Sequence, residues 1–251
     1  GYLLAKSPGV LSGLEVAALV FHEVDPAITF EPLAADGDRI APGQHLARVS
    51  GPARGILSAE RVALNFVQRL SGVATLTARY VATVEGTGAR IIDTRKTTPG
   101  MRLLEKAAVR HGGGHNHRVG LSDGVLIKDN HLAAIGGSDR IARAVAAARA
   151  FAPHTLRIEV EVTSLEELDQ ALAAGADVIL LDNMPIDMMA EAVRRTAGRA
   201  ILEASGGITL ETVRQVAETG VDLISSGALT HSAPALDISL EIELQPEKDT
   251  P

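Results

Sequence analysis

The sequence contains no cysteine and no tryptophan, and aromatic residues make up only 2% of its 251 residues. The absence of cysteine excludes disulfide bonds, cysteine-ligated zinc and a thiol nucleophile. No apolar run reaches the ~18 residues that a membrane-spanning helix needs, and no stretch resembles a signal peptide. We therefore expect a soluble, cytoplasmic protein whose core consists mainly of Ala, Val, Leu and Ile.

The chain also has no excess of positive charge, since its formal net charge is −7. This charge and the scarcity of aromatic rings argue against a nucleic-acid partner. One segment, 95–128, has the opposite sign and carries only two acidic residues against these cations: Arg95, Lys96, Arg102, Lys106, Arg110, Arg118 and Lys128. Since salt screens charges over about 8 Å, a local cationic pocket can hold a small anion in an acidic protein. The segment predicts an anionic ligand.

The pattern of the sequence changes near residue 60. Before it, short β-like runs and turn signals surround one helical segment, 14–24. A helix with Ser58 as its N-cap follows, and Ser71-Gly72 marks a kink or the start of a second helix. After residue 89, strands alternate with helices, for which Ser138 and Ser164 are predicted caps. This alternation is typical of parallel βαβ units.

The predicted strands of the second part favour an α/β barrel over an open sheet because of their number and close spacing. They are ARIIDT, VLIKD, RIEVEV, DVILLDN, AILEASGGI and VDLISSGAL. The tail LEIELQPEKDTP alternates apolar and polar residues and is predicted to return as a strand to the N-terminal unit.

Polar residues cluster where these strands end, and in a parallel barrel the active site lies at the carboxyl ends of the strands. Cations follow the early strands and match carboxylates and phosphates. Carboxylates follow the middle strands and can hold hydroxyls or hydrated Mg²⁺. Gly-rich turns follow the last two strands, where free N–H groups hold a phosphate. The strand-end residues include Asp93, Asn116, Glu159, Glu203 and Ser225.

Each candidate also has a purely structural interpretation. His115 and His117 have the spacing of a metal pair on a strand, but the surrounding cations disfavour a divalent ion there. Glu159 and Glu161 form either an exposed stripe or part of a site, and Glu161 is the stronger candidate. Arg61 is either a surface arginine or a residue that faces an anion, since a helix N-terminus disfavours a cation.

Several motifs carry a family resemblance, which extends from about residue 10 to residue 240. They are Glu60-Arg61, Leu64-Asn65, SGVAT, DTRKTTPGMRLLEKAAVRHGGGHNHR, LIKDNH, EVEV, ILLDN, EASGGI and SSGALTHS. These motifs closely resemble those of quinolinate phosphoribosyltransferase, the decarboxylating nicotinate-nucleotide pyrophosphorylase of NAD biosynthesis. The DTRKT…GGGxNHR block is the most specific of them.

The resemblance implies an α/β fold with an N-terminal open α/β sandwich domain and an incomplete α/β barrel of about seven strands. We assign residues 1–60, joined by 235–251, to the sandwich and 61–234 to the barrel. The resemblance also implies an N-terminal helical portion in the first domain, which we expect to be absent from this sequence. Family members are homodimers, some of which assemble into hexamers, and Arg61 is implied to reach into the partner's site.

The resemblance also implies roles for individual residues. Glu161 and Asp182 are expected near the ribose hydroxyls and Mg²⁺, and they are the predicted catalytic residues together with Lys96 and Lys128. The residues expected around quinolinate and the phosphates of phosphoribosyl pyrophosphate are Arg61, Thr94, Arg95, Lys96, His117, Arg118 and Lys128. Those expected at the 5′-phosphate are Ser205, Gly206, Gly207, Ser226, Gly227, Ala228 and His231. Arg102, Lys106 and Arg110 are expected on the outer face or edge of their helix.

The implied reaction is Mg²⁺-dependent transfer of phosphoribose to quinolinate with loss of CO₂, which gives nicotinate mononucleotide and pyrophosphate. Two alternatives stay open on the sequence alone. One is a related phosphoribosyltransferase-like barrel that acts on another substrate. The other is a barrel that binds a phosphometabolite without catalysis.

Overall fold

The computed structural model describes residues 1–242. In this part of the chain, the strands are β1 (Tyr2–Ala5), β2 (Gly9–Val10), β3 (Thr29–Pro32), β4 (Arg39–Ile40), β5 (His45–Ser50), β6 (Arg90–Ile92), β7 (Val125–Ile127), β8 (Ile158–Val162), β9 (Val178–Asp182), β10 (Ile201–Ser205), β11 (Leu223–Ser225) and β12 (Ile238–Glu241). The helices are α1 (Leu14–Val24), α2 (Ala53–Thr83), α3 (Arg102–His111), α4 (Asp129–Ile135), α5 (Arg140–Phe151), α6 (Leu165–Ala173), α7 (Ile186–Thr196), α8 (Val213–Glu218) and α9 (Ala228–His231).

The chain divides into two compact units. The first comprises residues 1–78, 107–113 and the segment that starts at 233, and the second comprises 79–106 and 114–232. The predicted boundary between residues 60 and 61 lies inside α2, and the predicted segment 235–251 extends beyond the described residues. Among residues 1–242, no helix combines the length and the apolar character needed to span a bilayer.

The first unit is built on an antiparallel sheet with the strand order β12-β1-β5-β3. In it, β12 pairs with β1, so that Leu240 lies opposite Leu3. This pairing confirms that the tail returns as a strand to the N-terminal unit, as far as the described residues extend. The helix α1 forms where it was predicted and buries Leu14, Ala17 and Phe21.

The long helix α2 differs from its prediction at two points. It begins at Ala53, and the Ser58 hydroxyl donates a hydrogen bond to the Arg54 carbonyl at 2.8 Å, so the predicted N-cap is wrong. The helix also continues without a break through Ser71-Gly72. Gly72 serves packing instead, because a Cβ at this position would lie 2.0 Å from the carbonyl oxygen of Pro234.

The second unit contains a six-stranded parallel sheet with the order β6-β11-β10-β9-β8-β7. A single parallel bridge between Ile92 and His115 adds to the β6 edge. One cavity of about 530 Å³ is lined by residues from all six strands, so the sheet curves around it. The predicted α/β fold with an incomplete barrel and an N-terminal domain is confirmed, with six strands and this bridge in place of about seven strands.

The helices of the barrel unit largely follow their predicted positions. Ser164 caps α6 by accepting a hydrogen bond from the Glu167 backbone N–H at 3.2 Å, as predicted. The N-cap of α5 is Asp139 rather than Ser138. Helix α4 was not predicted, and it starts directly after Lys128, which is its N-cap.

Candidate active site

A second cavity of about 280 Å³ opens at the carboxyl ends of the barrel strands. It brings together nine of the predicted site residues, namely Thr94, Arg95, Lys96, His117, Arg118, Lys128, Glu161, Asp182 and Ser205. Its wall also contains Leu126, Leu180, Glu203 and Ser225. Residues far apart in the sequence meet here because the carboxyl ends of parallel strands share one edge.

Three cations of this rim, Arg95, Lys96 and Arg118, lie in the loops that follow β6 and the His115 bridge, and Lys128 follows β7. Arg95 and Lys96 are exposed, and Arg118 is half-buried. Burial, followed by the nearby charge of Arg95, lowers the pKa of Arg118. Arg102 supports the loop by donating hydrogen bonds to the Arg95 carbonyl at 3.2 Å and the Thr97 hydroxyl at 3.1 Å. Guanidinium groups that repel each other across a cavity favour an anion between them.

A buried ion pair lies behind the cationic loops and corrects the expectation for Lys106. Its side chain is only 3% exposed, and its ammonium lies 2.5 Å from Oδ1 of the fully buried Asp93. Asp93 also accepts hydrogen bonds from the Asn116 amide at 2.7 Å and the His117 backbone N–H at 2.8 Å. Lys106 therefore points into the barrel unit rather than outward, because it compensates the charge that Asp93 places there.

The carboxylates of the rim lie on the neighbouring strands β8 and β9. Glu161 forms a salt bridge with Lys128, whose side chain is 44% exposed. Asp182 accepts a hydrogen bond from the Asn183 amide at 2.9 Å. Two carboxylates on adjacent strands, next to a space for a phosphorylated ligand, are a donor set that suits Mg²⁺, which commonly takes one or two carboxylates plus substrate phosphates.

The Gly-rich turns after β10 and β11 lie on the same face of the barrel unit. Gly206 has φ +97°, and a Cβ there would lie 2.2 Å from the Asn183 amide oxygen, so this position requires glycine. Gly227 lies close to both Lys96 and His231, since a Cβ added to it would be 3.0 Å from an atom of each. The structure thus brings the predicted phosphate turn at 226–228 next to Lys96.

Two buried carboxylates, Glu159 and Glu203, are among the predicted strand-end residues but have no assigned role in the predicted site, although Glu203 lines this cavity. Glu159 and Glu203 are 6% and 1% exposed, and both face the His117 ring. Burial, followed by the charge of Glu159, raises the pKa of Glu203 to about 8. The available signal was a glutamate in the middle of a strand that is otherwise buried, as in IEVEV and ILEAS.

Arg61 is the predicted site residue that belongs to the first unit. It is the ninth residue of α2 rather than part of its first turn, and its side chain is exposed. The expected conflict between a cation and the helix N-terminus is therefore absent. Gly207 and His231 are also exposed, whereas Ser226 is buried.

A parallel α/β barrel with a cationic, carboxylate and Gly-rich rim at its strand ends is the architecture of an enzyme that handles phosphorylated substrates. Two family models match this chain: the N-terminal domain of quinolinate phosphoribosyl transferase over residues 1–71 and its C-terminal domain over residues 73–241. The chain belongs to the quinolinate phosphoribosyl transferase family.

Individual relatives agree with this assignment. The chain is 47% identical over 245 residues to the probable nicotinate-nucleotide pyrophosphorylase [carboxylating] of Bacillus subtilis, covering 98% of this chain and 84% of the relative. It is 49% identical over 247 residues to the nicotinate-nucleotide pyrophosphorylase [carboxylating] of Mycobacterium leprae, covering 96% and 86%. The structure of the nicotinate-nucleotide pyrophosphorylase from Francisella tularensis superposes with a TM-score of 0.91 at 41% identity, covering 95% and 84%.

Proposed function

We propose that the protein transfers phosphoribose from phosphoribosyl pyrophosphate to quinolinate, with decarboxylation to nicotinate mononucleotide. The observation that carries the proposal is the cavity at the strand ends, where Arg95, Lys96, Arg118 and Lys128 surround one space. Quinolinate brings two carboxylates and the cosubstrate brings several phosphate groups. Both substrates therefore need a concentrated set of cations.

The chemistry requires charge stabilisation rather than a covalent nucleophile. Departure of pyrophosphate leaves positive character at the ribose carbon, and Glu161 and Asp182 stabilise that charge while Lys96 and Arg95 stabilise the leaving group. The pyridine nitrogen attacks this carbon. The adjacent carboxylate then leaves as CO₂, and the quaternised nitrogen stabilises the electron pair that remains until a proton replaces it.

Magnesium fits this donor set, with Glu161 and Asp182 as its protein ligands, directly or through water. When bound, Mg²⁺ supplies charge neutralisation at the phosphates. The metal dependence is tested by assaying turnover after chelation and after stepwise return of Mg²⁺. Turnover that is unaffected by chelation would contradict this part of the proposal.

The direct test is the formation of nicotinate mononucleotide and CO₂ from quinolinate, phosphoribosyl pyrophosphate and Mg²⁺ by the purified full chain. A parallel assay with nicotinate tests the alternative of a monocarboxylate substrate. Turnover of nicotinate but not quinolinate would favour the alternative substrate. Calorimetric binding of these ligands without turnover of either would favour a non-catalytic binding protein.

We also propose a homodimer in which Arg61 of the partner subunit completes each site. Arg61 is exposed on α2, so its guanidinium is accessible to a partner subunit. The Arg61→Ala and Lys128→Ala variants should each be inactive, whereas their mixture should regain part of the activity through mixed dimers. No regain after verified subunit exchange would contradict a shared site.

The cytoplasmic location stays a prediction, which imaging of a tagged full-length chain would test.

A further inference from the structure

All four polar atoms of His117 already have partners within the barrel unit. Its backbone N–H donates to Asp93 at 2.8 Å, and its carbonyl accepts from the Lys106 ammonium at 2.8 Å. Its ring Nδ1 accepts a hydrogen bond from the Arg118 backbone N–H at 2.7 Å. Its Nε2 faces a carboxylate oxygen of Glu159 at 3.3 Å. No ring nitrogen remains for a substrate carboxylate.

These contacts determine where the ring proton lies. Because Nδ1 accepts the Arg118 N–H, its lone pair must be free of a proton. The proton is therefore on Nε2, where it points at Glu159. Burial lowers the pKa of His117, and the hydrogen bond with Glu159 and the charges of Glu203 and Glu159 outweigh it and raise the pKa. A second proton at Nδ1 would nevertheless oppose the Arg118 N–H, so the geometry favours the neutral ring with its proton on Nε2.

The same geometry decides against a metal ion at this place. His117, Glu159 and Glu203 offer ligand atoms that all lie within 4.8 Å of one another. A metal on Nε2 would require that nitrogen to be unprotonated and would move the ring proton to Nδ1, against the Arg118 N–H. The three residues therefore form a hydrogen-bonded support and not a metal centre.

The two glutamates, Glu159 and Glu203, are the buried members of this hydrogen-bonded group. Each has an Oε1 atom that is buried and accepts no hydrogen bond from the described residues. Oε2 of Glu203 lies 3.6 Å from Nε2 of His117, next to the contact made by Glu159. His117, Arg118 and Glu203 all line both the cavity of about 530 Å³ and the cavity of about 280 Å³, so they lie between the barrel interior and the candidate active site.

We propose that Glu159 and Glu203 are positioning residues that hold the His117 ring, and that His117 in turn fixes the backbone of Arg118. The Arg118 side chain, whose Nη1 also donates to the Gly124 carbonyl at 3.1 Å, is thereby kept in the wall of the substrate cavity. His117 is then a positioning residue itself rather than the substrate ligand that the sequence predicts. The proposal rests on the proposed function only for the role of Arg118. The position of the ring proton is a property of the protein alone.

The first test is therefore independent of turnover. Nitrogen-15 NMR of the labelled full chain without substrates, with the His117→Asn variant to assign the signals, should show a protonated Nε2 and an unprotonated Nδ1 at pH 7. A proton on Nδ1, or on both ring nitrogens, would overturn the proposal even if the enzyme were fully active.

The second test compares amides that replace either ring nitrogen. Asparagine places its oxygen near the position of Nδ1, and glutamine places its amide near the position of Nε2. His117→Asn keeps an acceptor for the Arg118 N–H but loses the support of the glutamates, whereas His117→Gln loses that acceptor. We therefore expect His117→Gln to raise, by about tenfold, the KM of the substrate whose binding Arg118→Ala weakens, and His117→Asn to raise it less. A larger KM increase in His117→Asn than in His117→Gln would show that Nε2 contacts the substrate and would overturn the proposal.

The glutamates are tested by matched pairs of variants. Glu159→Gln keeps an oxygen that accepts the Nε2–H and should retain a nearly unchanged KM, whereas Glu159→Leu should reproduce the KM change of His117→Gln. Adding Glu159→Leu to His117→Gln should cause little further change, since Glu159 is proposed to act on Arg118 only through the Nδ1 contact that glutamine already lacks. Additive effects, or equal losses in the Gln and Leu variants, would overturn the proposal. Melting temperatures verify that each variant is folded.

Discussion

Two lysine–carboxylate pairs of the barrel unit have similar chemistry and opposite surroundings. The Lys106–Asp93 pair is 3% and 0% exposed, whereas in the Lys128–Glu161 pair the lysine is 44% exposed at the cavity. The buried pair is surrounded by further hydrogen bonds from Asn116 and the His117 backbone. The comparison indicates that the first cation supports the loops of the site and that the second acts within it.

The largest expected effect is on stability and comes from the buried pair. Replacing Lys106 by methionine leaves Asp93 as an uncompensated buried charge, which typically costs about 3–5 kcal/mol of unfolding free energy. Urea unfolding of Lys106→Met and of the double variant Lys106→Met/Asp93→Asn measures this cost. The double variant should recover part of the loss, and a single variant as stable as the unchanged protein would contradict the assigned role.

The Lys128–Glu161 pair at the cavity should show the opposite pattern. Lys128→Ala and Arg95→Ala should lower kcat/KM by about 100-fold or more, because each removes a cation that stabilises transferred charge. The unfolding free energy should fall by less than in Lys106→Met, because the Lys128 side chain is 44% exposed even though Glu161 is only 9% exposed. Lys6→Ala is a matched control, since Lys6 is 43% exposed and paired with Glu241. A Lys128 variant that loses several kcal/mol of stability would give this lysine a structural role.

The buried Glu203 should make the free energy of unfolding depend on pH. Because the pKa of Glu203 is raised to about 8 from its usual 4.5, its contribution to stability is fully present below pH 4.5 and is lost as pH rises through about 8. The loss is at most about 1.4 kcal/mol per pH unit in that window. Relative to Glu203→Gln, the unchanged protein should therefore become less stable as pH rises from 4.5 to about 8 and should change little at higher pH. Unfolding curves of both proteins, with Glu218→Gln as a surface control, measure the difference. A constant difference would contradict the prediction.

The smallest expected effect concerns Mg²⁺ in the absence of substrates. Glu161 is already paired with Lys128, and the proposed site takes most of its other ligands from substrate and water. Millimolar Mg²⁺ alone should therefore stabilise the protein by less than about 1 kcal/mol. A thermal melt with and without Mg²⁺ tests this, with Ca²⁺ as the control ion. A large stabilisation by Mg²⁺ alone would point to a preformed metal site.

The strand-end part of the site was predictable because parallel strands carry a strong local signal. Short apolar runs that end in polar residues at Thr94, Lys128, Glu161 and Asp182 identify one edge of a barrel, and all four line the same cavity. The family motifs then assigned roles to these positions. The roles themselves stay predictions until substrate-bound or kinetic measurements test them.

The errors have a common cause, which is that local patterns do not reveal distant partners. The start of α2 precedes Ser58 because Ala53–Leu57 continue the helix, and a serine inside a helix can bond to a preceding carbonyl instead of capping. Lys106 was placed outside because a charged residue on a helix is usually exposed. Only the position of Asp93, thirteen residues earlier, makes its burial favourable.

The sequence by itself determined the alternation of strands and helices, the edge at which the polar residues meet and the family of the chain, because these depend on periodicity and on short motifs. The tertiary structure decided which charges face the cavity and which are buried beneath it. Lys106, Glu159 and Glu203 resemble surface residues until their partners are placed beside them. Burial and hydrogen bonding depend on contacts between distant segments, and those contacts exist only in the folded chain.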